Sequence, residues 1–141
     1  MARGRAGDPH RRRWLGRRWT SWYSLDDAVG EHLVPQQPGV YRLRRGGLVG
    51  LLYVGESDDL GRRLRDLRGA LRAAARGKTR NTGHWAAPCI YAHLRGRKLE
   101  VSWLLERVPD KAERNGIESE CIAAHRWQLG GNPDCQFVSL E

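Results

Sequence analysis

The sequence lacks any apolar run as long as a bilayer crossing demands, which excludes a helical membrane span. Its arginine-rich start also lacks the apolar stretch of a secretory signal, so a soluble protein is expected. Cysteine is scarce: Cys89, Cys121 and Cys135 make an odd count with no CxxC pair. That argues against a disulfide framework and for a reducing, cytoplasmic setting. Acidic residues are in deficit, 16 against 25 basic ones, giving a net charge of +9 and a pI near 10.3. A polyanion, nucleic acid before others, is the partner such a field attracts. Genome composition explains arginine standing in for lysine, but not the excess of both over acids. At 141 residues the chain has the size of one ordinary domain, able to bury a core without staples. Cys121 and His125, four apart, allow a zinc site completed by Cys135 and His84 to be drawn from ligand chemistry, although core packing suits two of these residues better.

From Met1 to Arg18 the chain is dominated by Arg, Gly and Pro, with Trp14 its only large side chain. Such a composition reads as a flexible basic arm, either merely solvated or tracking phosphates. Residues 19–141 are then one domain with its core over 38–137. Trp19, Trp22, Tyr23, Leu25, Ala28 and Val29 suggest one or two helical turns lying over the domain edge. Pro38-Gly39 marks a turn, and Gly39 to Leu43 with Leu48 to Gly55 forms a hairpin across the Gly46-Gly47 pair. Leu60, Leu64, Leu67 and Leu71 stripe one helix running to about Arg76, with N-caps available at Ser57, Asp58 and Asp59. Gly77 to Ala87 is a loop, and Cys89 to Leu94 is open between a helical turn and a short strand. Leu99 to Val108 is strand-like, with Val101, Trp103 and Leu105 alternating. A last helix starts at Asp110, is strongest from Ile117 to Gln128 and stops at Gly130-Gly131. Hairpin, helix, strand, helix make an α+β sandwich around a three-stranded antiparallel sheet, and architecture alone does not name a function.

Three stretches carry more than packing. Gly39-Val40-Tyr41 is followed, after eleven residues, by Tyr53-Val54-Gly55 and then Glu56 to Leu64. At about 100° per residue, Arg63 falls on the flank of the leucine stripe, Arg62 points away and Arg68 occupies the opposite flank as a competitor. On the last helix Ile117, Cys121, Ala124 and Gln128 define the inner face, and Glu118 lies within the arc bounded by Ile122. A carboxylate there needs a partner, a divalent cation or Arg63, because burying it alone costs several kcal/mol.

The paired tripeptides resemble those of the GIY-YIG endonuclease family, and the resemblance runs from Gly39 to Phe137. Arg63 stands ten residues after the second tyrosine, and Glu118 is followed by Cys121 and Ile122, as in that family. The resemblance implies a metal-dependent endonuclease acting on DNA in repair, restriction or mobile-element settings. It implies catalytic roles for Tyr41, Tyr53, Arg63, Glu118 and Gln136, with Mg²⁺ or Mn²⁺ held by Glu118. Two departures stand out. After Pro133 the family's asparagine is replaced by Gln136, with Asn132 the alternative occupant. No lysine closely follows the second tripeptide and no His or Tyr stands shortly after Arg63, so the general base is open, with His84 a loop candidate. Arg68, Arg72, Lys78 and Arg80 belong to a basic run expected to bind flanking phosphates. A degenerate binding module that kept the fold but lost turnover is the rival reading. Cutting both strands implies a homodimer or two successive visits, and a separate target-recognition protein is the candidate partner for target choice.

Overall fold

A computed structural model describes residues 7–78 and 83–137. In chain order the elements are β1 (Arg13–Trp14), β2 (Arg17–Arg18), β3 (Tyr23–Ser24), α1 (Leu25–Gly30), β4 (Gly39–Arg45), β5 (Tyr53–Ser57), α2 (Leu60–Ala75), α3 (Ala87–Leu94), β6 (Leu99–Trp103) and α4 (Lys111–Leu129). The α+β class holds. The main sheet has the order β3-β6-β4-β5 with every pair antiparallel, one strand more than expected. The extra strand comes from the stretch read as helical turns. Tyr23 and Ser24 pair with Val101 and Glu100 on the open edge of β6. Ser24 is also the N-cap of α1: its extended backbone suits both roles, and its Oγ accepts from the Asp27 amide at 3.1 Å.

The remaining elements follow local signals. Asp59 caps α2 by accepting from the Arg62 amide, and Leu60, Leu64, Leu67, Ala70 and Ala73 bury its stripe. Pro88 in the first turn starts α3, which resolves the ambiguous Cys89 to Leu94 stretch as helix, and Arg95 ends it with φ 50°. Asp110 caps α4, and Gly130 at φ 85° closes it in the left-handed region that favours glycine. Helices α1, α2 and α3 cover one sheet face, against Tyr41, Leu43, Tyr53, Val101 and Trp103. Helix α4 covers the other face with Ile117, Cys121 and Ile122 against Val40 and Val54. Among the described residues, no helix is long and apolar enough to cross a membrane.

Two expectations are corrected. Residues 7–18 are not a loose arm. β1 and β2 pair as a small hairpin, and Trp14 is 2% exposed. The cause is Arg42, on the α4 side of β4 and fully buried. Its guanidinium lies 4.6 Å from the ring centres of both Trp19 and Trp22 and 5.9 Å from that of Trp14. It donates to the Pro9 carbonyl at 2.5 Å and to Ser102 Oγ at 3.2 Å. The arm's own composition cannot order it, but a cation supplied by a distant strand does. The second correction concerns cysteine. The sulfurs of Cys89 and Cys135 meet at bonding distance with Cα atoms 5.7 Å apart, tying α3 to the segment after α4, and Cys121 is buried and free. A sequence separation of 46 residues hides that meeting.

Replacing Arg42 by Ala should cost about 3 kcal/mol, through lost packing and lost cation–aromatic attraction. Trypsin should then cut between Arg11 and Arg18 far faster than in wild type. Thermal melts and a digestion time course read both effects; an unchanged digestion pattern would mean that the N-terminal segment is held by other contacts.

Candidate active site

Strand register decides which aromatic side chains meet. Across β4 and β5, Tyr41 pairs with Gly55 and Leu43 with Tyr53, so the two tyrosines share a face and sit diagonally. Their ring centres are 6.2 Å apart. Gly55 lies beneath both: a Cβ there would stand 2.5 Å from Tyr41 Cζ and Oη and 2.8 Å from Tyr53 Cε2. Gly39 serves the same purpose for α2, since a Cβ would meet Leu60 Cδ1 at 2.8 Å. Both motif glycines are therefore close-approach positions.

The loop before α3 lays His84 and Trp85 over this pair. Tyr41 Oη is 2.9 Å from His84 Nε2, and Tyr53 meets the rings of His84 and Trp85 edge-on at 5.2 and 5.7 Å. His84 Nδ1 accepts from the Ala86 amide at 3.2 Å. The neutral ring therefore carries its proton on Nε2 and donates it to the Tyr41 oxygen. Burial, helped by the charge of Arg63, holds the His84 pKa down to about 3, so the ring stays neutral. Burial pushes both tyrosines up, Tyr41 strongly and Tyr53 to about 12. Beside them Arg63 pulls the other way. Arg63 stands half-buried on the flank of α2, and its Nη1 donates to the Gly83 carbonyl at 3.1 Å.

Glu118 approaches from α4. It is half-buried, and burial first, then the neighbouring Glu56 carboxylate, push its pKa up to about 7. The Glu56 backbone amide opposes the rise without cancelling it. Glu56 itself is neutralised by Arg114, whose Nε lies 2.8 Å away and whose Nη1 donates to the Val108 and Pro109 carbonyls. Among the described residues no ion pair joins Glu118 to Arg63. A hard oxygen donor that resists ionisation in place fits a hard divalent cation such as Mg²⁺, which would restore the carboxylate.

Other expected site residues are placed differently. Gln136 is buried with its amide closed on one residue of β5: Oε1 accepts from the Val54 amide and Nε2 donates to the Val54 carbonyl, each at 2.8 Å. It acts as a one-residue strand holding β5 at Val54. Asn132 is exposed and accepts from Arg126 Nη1. The zinc set imagined from Cys121, His125, Cys135 and His84 is not assembled. His125 Nε2 accepts from the Leu51 amide on the α4 side, whereas His84 sits with the tyrosines on the opposite face.

A cleft of about 370 Å³ is lined by Glu56, Ser57, Asp58, Arg62, Arg63, Lys111 and Arg114. Arg62, expected to point away, lines this cleft and is tied to Asp58. Lys111 and Arg114 were not singled out by sequence. The available signal was spacing, since Arg114 precedes Glu118 by one helical turn. Arg68 and Arg72 line a separate cavity of about 300 Å³ with Tyr91, Arg97 and Lys98. Lys78 is exposed beyond α2, and Arg80 lies outside the described residues.

The structure is similar to the GIY-YIG N-terminal endonuclease domain of UvrC from Thermotoga maritima bound to its catalytic divalent cation, magnesium. Identity is 21%, over 74% of this chain and 92% of that one, with a TM-score of 0.45. Two point mutants of the same domain, also bound to the cation, are 19% and 20% identical, with TM-scores of 0.45 and 0.42. They cover 92% and 91% of their own chains and 74% of this one. No protein-family model and no curated protein matches the sequence. The chemistry of this chain rests on its own side chains.

Because the folded pKa of Glu118 is raised, the native state keeps a proton that the unfolded chain has already released. Its contribution to stability is present below the ordinary carboxylate range and is lost as pH rises towards about 7. Metal-free wild type should therefore lose Tm relative to Glu118→Gln between about pH 4.5 and about pH 7. At about pH 8, Mg²⁺ should raise the wild-type Tm and leave that of the variant unchanged. A gap that stays constant across the window would show that Glu118 titrates normally.

Proposed function

We propose that the chain is a divalent-metal-dependent endonuclease that hydrolyses phosphodiester bonds of DNA. The observation that carries this reading is the convergence of Tyr41 and Tyr53 over Gly55, with Arg63 and Glu118 reaching the pair from helices on opposite sheet faces. Hydrolysis needs water in line with the leaving oxygen and positive charge where the phosphoryl oxygens turn negative. Arg63 cannot lose its charge and donates in parallel, so it binds the scissile phosphate. Glu118 would hold Mg²⁺ or Mn²⁺, which when bound supplies Lewis-acid stabilisation of the developing charge.

The tyrosines orient the attacking water. His84 donates to the Tyr41 oxygen, which leaves the hydroxyl proton of Tyr41 directed elsewhere and steadies negative charge on that oxygen. Tyr53 is less raised than Tyr41, so ionisation costs less there, and Arg63 is the cation in place to favour it. The cleft with Arg62, Arg63 and Lys111 supplies cations for flanking phosphates, in keeping with the net charge of +9. Cutting both strands would call for a homodimer or two successive visits, and a separate protein could supply target recognition.

The test is nicking of supercoiled plasmid by wild type and Glu118→Ala, with Mg²⁺, Mn²⁺ or chelator. Metal-dependent nicking should disappear in the variant while salt-sensitive DNA binding persists. Arg63→Ala should lower the rate at least about a hundredfold. Gly55→Ala, by parting the tyrosines, should lower it about a hundredfold at unchanged affinity. Wild-type binding without any cutting of plasmid, branched or single-stranded DNA would instead favour a binding module that has lost turnover.

A further inference from the structure

Cys89 and His93 lie one turn apart on α3, so their side chains leave the same helix face. Cys135 meets them there from the segment after α4, and the three ligand atoms all lie within 4.8 Å of one another. His93 Nδ1 stands 3.6 Å from each sulfur. A disulfide makes no use of an imidazole equidistant from its two sulfurs. A tetrahedral cation does: with metal–sulfur bonds of about 2.3 Å and metal–nitrogen bonds of about 2.0–2.1 Å, the S···N edges are about 3.6 Å. That is the separation found to both cysteines. The sulfurs, at bonding distance here, would part to about 3.8 Å around the ion. His93 Nδ1 would exchange its 2.9 Å contact with the Cys89 carbonyl for the metal.

We propose that, in the dithiol form, Cys89, His93 and Cys135 bind one zinc ion. Two sulfurs and an imidazole are soft donors that select zinc over magnesium, so this site is chemically distinct from the carboxylate of Glu118. A dithiol or phosphine reductant supplies two electrons, and the disulfide takes them with two protons to give two thiols. Zinc then displaces both protons as the thiols become thiolates, and His93 binds as the neutral ring. Cys135 is buried while Cys89 and His93 are half-buried, which leaves a fourth position for solvent at the rim.

The role is structural support. Cys135 directly precedes Gln136, whose amide holds Val54, the middle residue of the second tripeptide. Helix α3 directly follows the loop that lays His84 and Trp85 on the tyrosines. One ion thus joins the two supports of the tyrosine pair. The proposal stands independently of the nuclease reading.

The test uses the full chain, kept in phosphine reductant, stripped by chelator and checked for three free thiols in denaturant, one for each cysteine. Cobalt(II) is titrated first, then zinc. One equivalent of cobalt should give near-ultraviolet thiolate-to-metal bands and visible d–d bands, all erased by one equivalent of zinc. Cys135→Ser should lose most of the thiolate absorption and His93→Ala should shift the visible bands. Cys121→Ser, altered in the opposite core, should titrate as wild type. Circular dichroism establishes that each variant is folded, and the half-exposed His93 provides the reading where Cys135→Ser does not fold. Absence of thiolate bands in the fully reduced wild type, or bands unchanged in folded Cys135→Ser or His93→Ala, would overturn the proposal.

Discussion

The pairing of Tyr41 with Gly55 across β4 and β5 is the constraint on which the rest of the site depends. Side chains alternate along a strand, so a slip of one residue between β4 and β5 would leave the two tyrosines on opposite sheet faces. Gly55 makes the chosen register productive, because only a missing Cβ lets the two rings close over that point. Several features protect it. Gln136 caps the free edge of β5 at Val54, β6 pairs with β4 on its other side, and Leu60 packs into the space left open at Gly39.

Burial then sets the electrostatics. The tyrosines and His84 are kept neutral by desolvation, while Glu118 sits where its charge is penalised twice, by burial and by Glu56. Arg114 compensates Glu56 and not Glu118, which leaves the latter's carboxylate as the group with most to gain from a cation. Arg42 shows the opposite solution on the other face. There a buried guanidinium lies against aromatic faces and donates to a carbonyl and a hydroxyl while its Nη2 has no hydrogen-bond partner among the described residues, and burial lowers its pKa to about 9. One arrangement keeps a charge unsatisfied where chemistry is proposed, and the other uses a charge to fasten the N-terminal hairpin.

Much of this was legible before any coordinates. The leucine stripe of α2, the Asp59 and Asp110 caps, the Gly130 stop and the paired tripeptides are local signals, readable because helix and strand periods and cap chemistry act within a few residues. Spacing and family resemblance also pointed to Tyr41, Tyr53, Arg63 and Glu118, whose catalytic roles are the proposal made above. The misreadings share one cause. Trp14 looked unable to order a basic arm because its partner, Arg42, is contributed by a strand 28 positions later. Tyr23 and Ser24 looked helical because the strand edge that takes them lies at Val101 and Glu100.

By itself the sequence determined the central hairpin, strand β6, the two long helices and the identity of the groups available for chemistry. These depend on backbone sterics and on side-chain type at fixed spacing. The tertiary structure alone decided that Gln136 holds Val54, that Arg114 takes Glu56, that His84 donates to Tyr41 and that Cys89, His93 and Cys135 meet. Each joins residues of separate elements, and no periodicity along a chain encodes the distance between side chains that only packing brings together.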